Sequence, residues 1–256
     1  MMSLSPRLST LFFAAMISIL RDKVAARFIG LSLLSSKAFD SKWNSTSFDT
    51  KPTFQNNFQN ESLTLHEETV FEGYRNIVRR HVKLPTGENA TYDILTQKHL
   101  SVVVFIWDST TSTTTLIREY HPGPERYMYG TVAGMYENKK HDSPLEAAMF
   151  ELEEEAQLMS SQWHSLLLHH DINMPFDKYS TNKFYPYLAL DCKKVLEPKP
   201  MDAEEFISVH PNVTYHDLIQ LINSGQMNVV STYTILLAFN KLDELGIPYK
   251  GMHPSS

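Results

Sequence analysis

Four carboxylates, Glu151, Glu153, Glu154 and Glu155, fall within five consecutive positions of the stretch GMYENKKHDSPLEAAMFELEEEAQL, Gly134 to Leu158. Like charges three and four apart disfavour an isolated helix by roughly 0.2–0.5 kcal/mol per pair. Crowding of this kind is either a solvated acidic face or a seat for a cation. Hard divalent ions take oxygen ligands, and magnesium is commonly held by one or two carboxylates together with substrate phosphates, so such an ion would turn repulsion into coordination. If Leu152 is the centre of the buried stripe, a turn of about 100° per residue puts Glu151 and Glu155 on one flank, with Glu154 further round the same side. Glu146 and Glu153 then fall on the opposite flank.

The elements around the run must position it. Asp142-Ser143-Pro144 is a helix start, with Asp142 or Ser143 able to cap and Pro144 at the first helical position. Leu145, Met149, Leu152, Ala156 and Met159 recur at helical spacing and predict one apolar stripe. Gly134 precedes the helix by a loop and follows a strand, so the acidic flank sits at a strand end, where α/β folds place ligands. Upstream, Val70 to Pro85 alternates as a hairpin strand and Pro85-Thr86-Gly87 reads as a turn. LSVVVFIW, Leu100 to Trp107, reads as a strand buried on both faces. Strands are also expected over Thr114–Tyr120, Tyr127–Val132 and Phe184–Leu190, with the loop HPGPE, His121 to Glu125, between the first two, and Phe206–Val209 as a further pairing segment. Helices are expected from Thr214 to Gly225 and from Val229 to Leu245, the latter stopped by Gly246. Strands first, then a helix, then strand and two helices describe an α/β sandwich with a mixed sheet and helices on both of its sides.

Composition narrows the functions. The 256 residues carry a net charge of -6, which argues against a partner held by broad contact with a polyanionic backbone, so no nucleic acid is expected. The single cysteine, Cys192, excludes an internal disulfide and a thiolate zinc cluster. Residues 1–39 hold five basic residues, one acid and many serines, the balance of an organelle-targeting leader for a mitochondrion or plastid; cytoplasmic residence and secretory entry are the alternatives. The apolar run Leu8 to Leu20, 13 residues long, is too short for a stable membrane span. Residues 40–60 read as a linker, 61–250 as the folded domain and 251–256 as a tail.

The acidic run resembles the box of the Nudix hydrolase family, Gly-x5-Glu-x7-Arg-Glu-U-x-Glu-Glu-x-Gly-U with U aliphatic. Glu151-Leu152-Glu153-Glu154-Glu155 matches its Glu-U-x-Glu-Glu core, Leu158 its last aliphatic and Ala133-Gly134 the Ala-Gly that opens it. LIREYHPGPERYMYGTVAG, Leu116 to Gly134, is similar to the strand, loop and strand before the box in the ADP-ribose and ADP-sugar pyrophosphatase branch, and the order of Trp163, strand, Asp202-x-Glu204-Glu205 and two helices follows that branch. The resemblance implies a Nudix-type α/β/α sandwich with an N-terminal β-hairpin region, and a hydrolase cutting the diphosphate of a nucleoside diphosphate derivative such as ADP-ribose or an ADP-sugar. A catalytically impaired nucleotide-binding or regulatory protein of the same fold is the alternative. It also implies Mg²⁺ or Mn²⁺ held by the Ala133 carbonyl, Glu151 and Glu155, and a general base among Glu154, Asp177 and Asp171. Arg118 aligns with a substrate-contacting arginine and His121 sits where a second is usual, while Arg126 and Lys139 or Lys140 can offset phosphate charge. Tyr127, Tyr129 and Tyr136 either stack a base or belong to the core. His169-His170, adjacent in an extended segment, point opposite ways and make no metal pair. Members of the branch commonly form homodimers, which here would exchange Val70 to Tyr92. The sequence departs from the box at Phe150 for arginine, Gln157 for glycine and Asp142 for the first glutamate, in a loop two residues longer; outside it, Gly130 replaces a glutamate and Asn182 falls where a catalytic glutamate is frequent.

Overall fold

A computed structural model of the chain describes residues 63–169, 172–197 and 206–250. The chain divides into two units, Met1–Glu61 and Ser62–Ser256, and the described residues belong to the second. The expected leader, linker and tail, the domain start at Glu61, His170, Asp171 and the Asp202-x-Glu204-Glu205 segment lie outside the described residues.

The N-terminal part is a small antiparallel sheet of β1 (Thr64–Phe71), β2 (Asn76–Lys83) and β3 (Asn89–Thr96), in that order. The turn at Pro85-Thr86-Gly87 joins β2 to β3: Gly87 takes φ 88°, a left-handed value open to glycine, and its N–H donates to the Leu84 carbonyl at 2.8 Å. The chain continues through β4 (Leu100–Trp107), β5 (Thr113–His121), β6 (Arg126–Gly130), β7 (Val132–Tyr136) and α1 (Pro144–Ala156). It ends with β8 (Leu158–Met159), β9 (Gln162–Ser165), β10 (Met174–Pro175), β11 (Lys183–Leu190), β12 (Lys193–Lys194), β13 (Ser208–Thr214), α2 (Tyr215–Asn223) and α3 (Val229–Leu245). The central sheet is mixed: β4 pairs parallel with β11 and antiparallel with β7, and β9 and β10 add to β11. A second antiparallel sheet has the order β13-β5-β6.

The continuous apolar run of β4 is explained by what covers it. Val102, Val104 and Ile106 pack with Ala147, Ala148 and Leu152 of α1, whereas Phe105 and Trp107 pack with Leu218 of α2 and Ile235, Phe239 and Leu242 of α3. Alternate residues therefore face opposite helical layers, and β11 divides in the same way, with Tyr187 and Ala189 on one side and Leu188 and Leu190 on the other. The architecture is a three-layer sandwich. Among the described residues no helix is long and apolar enough to cross a membrane.

The helix starts follow local chemistry. Ser143 caps α1, its hydroxyl accepting from the Glu146 N–H at 3.1 Å, with Pro144 in the first turn; Thr214 and Asp217 form a reciprocal box at α2; Asn228 caps α3. The face of α1 differs from expectation. Its buried residues are Ala147, Ala148, Leu152, Glu155 and Ala156, while Met149 is 41% exposed and Met159, 58% exposed, belongs to β8 beyond the helix end. The buried face is thus rotated from Leu152 toward the acidic flank. Two adjacent alanines bring that side of the helix close to the sheet, which leaves the bulkier Met149 outside.

Candidate active site

A cleft of about 1220 Å³ opens beside the C-terminal half of α1. One wall is β7 at Ala133, Gly134 and Met135 with Phe150, Glu151 and Glu154 of α1. The turns Gly73–Asn76 and Thr96–His99, the end of β5 and the first turn of α3 supply the rest, together with Phe176 and Asn182 ahead of β11.

The carboxylates of α1 reach different surroundings. Glu155 is 5% exposed, and its Oε2 accepts the Ala133 N–H at 3.0 Å. Glu151 lies against Gly134 so closely that a Cβ added to Gly134 would overlap its carboxyl group. Glycine at 134 is therefore a requirement of packing, since the strand backbone there is not left-handed. Glu154 lines the cleft, and Glu153 does not. The structure brings Ala133, Glu151 and Glu154 to one corner of the cleft, at the junction of β7 and α1, with Glu155 buried beside Ala133. Among the described residues no three His, Cys, Asp or Glu side chains converge closely enough to hold an ion by themselves. The donor set is all oxygen, and it suits a hard cation completed by substrate phosphate and water.

The substrate-binding cations expected from the sequence are dispersed. Side chains alternate along a strand, and Glu119 and His121 of β5 point into the cleft, so Arg118 points to the other face. There its guanidinium stacks over Tyr127 at 4.8 Å and Tyr129 at 5.7 Å. Arg126 does not line the cleft; its Nη2 donates to the Gly225 carbonyl at 2.9 Å. His121 does line it, with Nε2 3.2 Å from Glu119 Oε1 but out of line for a hydrogen bond. Lys140 lines it and Lys139 does not. Asp177 is exposed outside it, its Oδ1 accepting the Tyr179 N–H at 2.6 Å. Tyr127, Tyr129 and Tyr136 also lie outside it, and Asp142, on an exposed turn, donates its N–H to Glu146.

Asn182, which the sequence marked only as a replaced glutamate, and three residues it did not single out complete the walls. Asn182 is 5% exposed, and its buried Oδ1 has no hydrogen-bond partner. Arg75, Lys98 and His99 sit on short turns that carry no periodic signal. At the rim, the Lys140 ammonium, hydrogen-bonded to Glu137, holds that carboxyl below the usual carboxylate range, helped by His99 and His141 nearby. His141 in turn packs at a tilt against Phe150, ring centroids 5.6 Å apart, where the resemblance puts an arginine. Gly130 stands against α3: a Cβ there would come within 2.8 Å of Asn228 Nδ2, and Ser231 Oγ accepts the neighbouring Thr131 N–H at 2.9 Å. The α3 cap fills the space that a glutamate at 130 would occupy.

Neither a protein-family profile nor a curated protein matches the sequence. The fold does match that of solved structures. One, a crystal structure of an ADP compounds hydrolase, superposes with a TM-score of 0.59 at 20% identity, covering 73% of this chain and 100% of that one. At that identity the likeness is one of fold, and the sandwich expected from the sequence resemblance is the fold observed.

Proposed function

We propose that the protein is a divalent-cation-dependent hydrolase of Nudix type, cutting the diphosphate of a nucleoside diphosphate derivative such as ADP-ribose or an ADP-sugar. The observation that carries this reading is the corner at β7: one carboxylate bonded to the Ala133 N–H, a second seated on Gly134, and a third open to the same cleft. Its likeness to the fold of an ADP compounds hydrolase supports the choice of substrate class. Mg²⁺ or Mn²⁺, with Ala133, Glu151 and Glu155 as its protein ligands, would supply charge neutralisation and a lowered pKa for water. Glu154 is the base that takes the proton from the attacking water, because it faces the cleft and Asp177 does not. The water oxygen bonds to phosphorus, the P–O–P bridge breaks, and a nucleoside monophosphate and a phosphorylated partner leave.

Incubation of the full chain with ADP-ribose, ADP-glucose and NADH in Mg²⁺ or Mn²⁺ tests this. Turnover that falls by about a hundredfold or more in Glu154→Gln and Glu155→Gln is expected, and absence of turnover on every diphosphate would remove the reading. A second reading, nucleotide binding without turnover, is favoured by Phe150 and Asn182, which line the cleft where the resemblance puts an arginine and a carboxylate. Tight binding of ADP in the absence of a divalent ion, with no hydrolysis in its presence, would select it.

A further inference from the structure

We infer that Arg75 and Lys98, on two turns at the mouth of the cleft, are the cations that hold the substrate's phosphates, in place of Arg118 and Arg126. This rests on the cleft being a diphosphate site. Charge bookkeeping inside the cleft leads to them. Lys140 is paired with Glu137, and His121 lies beside Glu119. Among the described residues, Arg75 and Lys98 form no ion pair, and both line the cleft. They are exposed side chains on constrained backbone. The Gly73 N–H donates to Asn76 Oδ1 at 3.2 Å across the first turn, and the second turn links β3 directly to the buried strand β4. The two turns are also tied to the wall that bears Asn182: Leu95 of β3 bonds through its N–H to Tyr179 O and through its carbonyl to Thr181 N–H, each at 2.9 Å. Asn182 borders the same space. One end of the cleft therefore carries carboxylates, which suit a cation, and the mouth carries two unpaired cations. A diphosphate with its counter-ion matches both ends at once.

The test is calorimetric binding of ADP, and separately of inorganic pyrophosphate, to the full chain in EDTA at low and moderate salt. The double variant Arg75→Ala/Lys98→Ala should bind both about a hundredfold more weakly, roughly tenfold per cation, with a flatter salt dependence. Arg118→Ala and Arg126→Ala should stay within about twofold of the unaltered protein by the same scale. Unchanged affinity in the double variant, a wild-type protein that binds neither probe, or a loss confined to the Arg118 and Arg126 variants would each overturn the assignment. Turnover separates this from the proposed reaction. Binding that depends on the two cations, with no hydrolysis of any diphosphate, removes the hydrolase and keeps the assignment; turnover with an unaltered KM in the double variant does the reverse. Both side chains are exposed, so a melting temperature matching the wild type is the control for folding.

Discussion

Gly134→Ala adds one methyl group at the point where β7 meets the acidic helix. The backbone at 134 is ordinary strand, so alanine is conformationally acceptable, and by restricting the unfolded chain it contributes about 0.4–1 kcal/mol of stability. The methyl overlaps the Glu151 carboxyl, the far end of a flexible side chain, which can swing aside at little cost to the fold. To reach ordinary contact, near 3.5 Å, the carboxyl must retreat by more than about 1 Å. A displacement of that size at a reacting centre costs roughly a hundredfold in rate, about 2.7 kcal/mol at 1.36 kcal/mol per decade. The expected result is a kcat about a hundredfold lower with a Tm shifted by no more than roughly 2–4 °C. Release of AMP from ADP-ribose in Mg²⁺, measured beside a thermal melt, reads both quantities, and calorimetric titration with Mn²⁺ reads the ligand directly. Gly123→Ala, which meets nothing within 4 Å, is the matched control and should change neither. Wild-type turnover and Mn²⁺ affinity in Gly134→Ala would show that the seat of Glu151 on Gly134 has no functional consequence, and the reasoning would fail.

Other substitutions test single links. Gln157 is exposed and holds the left-handed cap of α1 at φ 56°, a conformation that costs a non-glycine residue about 1–2 kcal/mol, so Gln157→Gly should raise Tm by a few degrees in a thermal melt with its backbone bonds retained. Ser143→Ala removes the hydroxyl that accepts the Glu146 N–H and should cost about 1 kcal/mol by denaturant unfolding. Burial pushes the Cys192 thiol up to about 12. An unfolded thiol ionises near 8.5, so the folded chain holds the extra proton above that pH, and the thiol's contribution to stability is full below it and is lost as pH rises toward 12. At pH 9 the native protein should therefore resist iodoacetamide, as followed by mass spectrometry, while the urea-unfolded chain is alkylated rapidly.

Much of the frame was legible in local chemistry. The run Leu100–Trp107 reads as a strand covered on both sides, and Ser143-Pro144 and Gly246 mark helix ends by their hydrogen-bonding and φ preferences. The rotation of α1 was not legible. Hydrophobic spacing ranks Met149 as core and Glu155 as flank, but it carries no information on how closely Ala147 and Ala148 dock or on the Ala133 N–H waiting opposite position 155. Arg118 shows a related limit. Strand parity separates it from Glu119 and His121 in the sequence itself, yet which of the two faces borders the cleft depends on the packing of β5 against distant elements. Arg75 and Lys98 lie in turns, where position is set entirely by the strands on either side.

The crowding of charge in α1 is resolved by the pair Ala133-Gly134. Repulsion among neighbouring glutamates amounts to a few tenths of a kcal/mol per pair on an exposed helix, whereas a hydrogen bond to a charged group contributes about 1.5–3 kcal/mol net. The Ala133 N–H gives Glu155 such a bond inside the protein, and the missing Cβ of Gly134 opens a seat for Glu151 one turn earlier. Glu154, between them in sequence, is left facing the cleft. Two consecutive residues of one strand thus sort three adjacent carboxylates into a buried, a seated and an open position, one by offering a donor and the other by lacking a side chain. An Ala-Gly dipeptide within β7 is what this sorting requires: a larger residue at 134 closes the seat, and proline at 133 removes the donor.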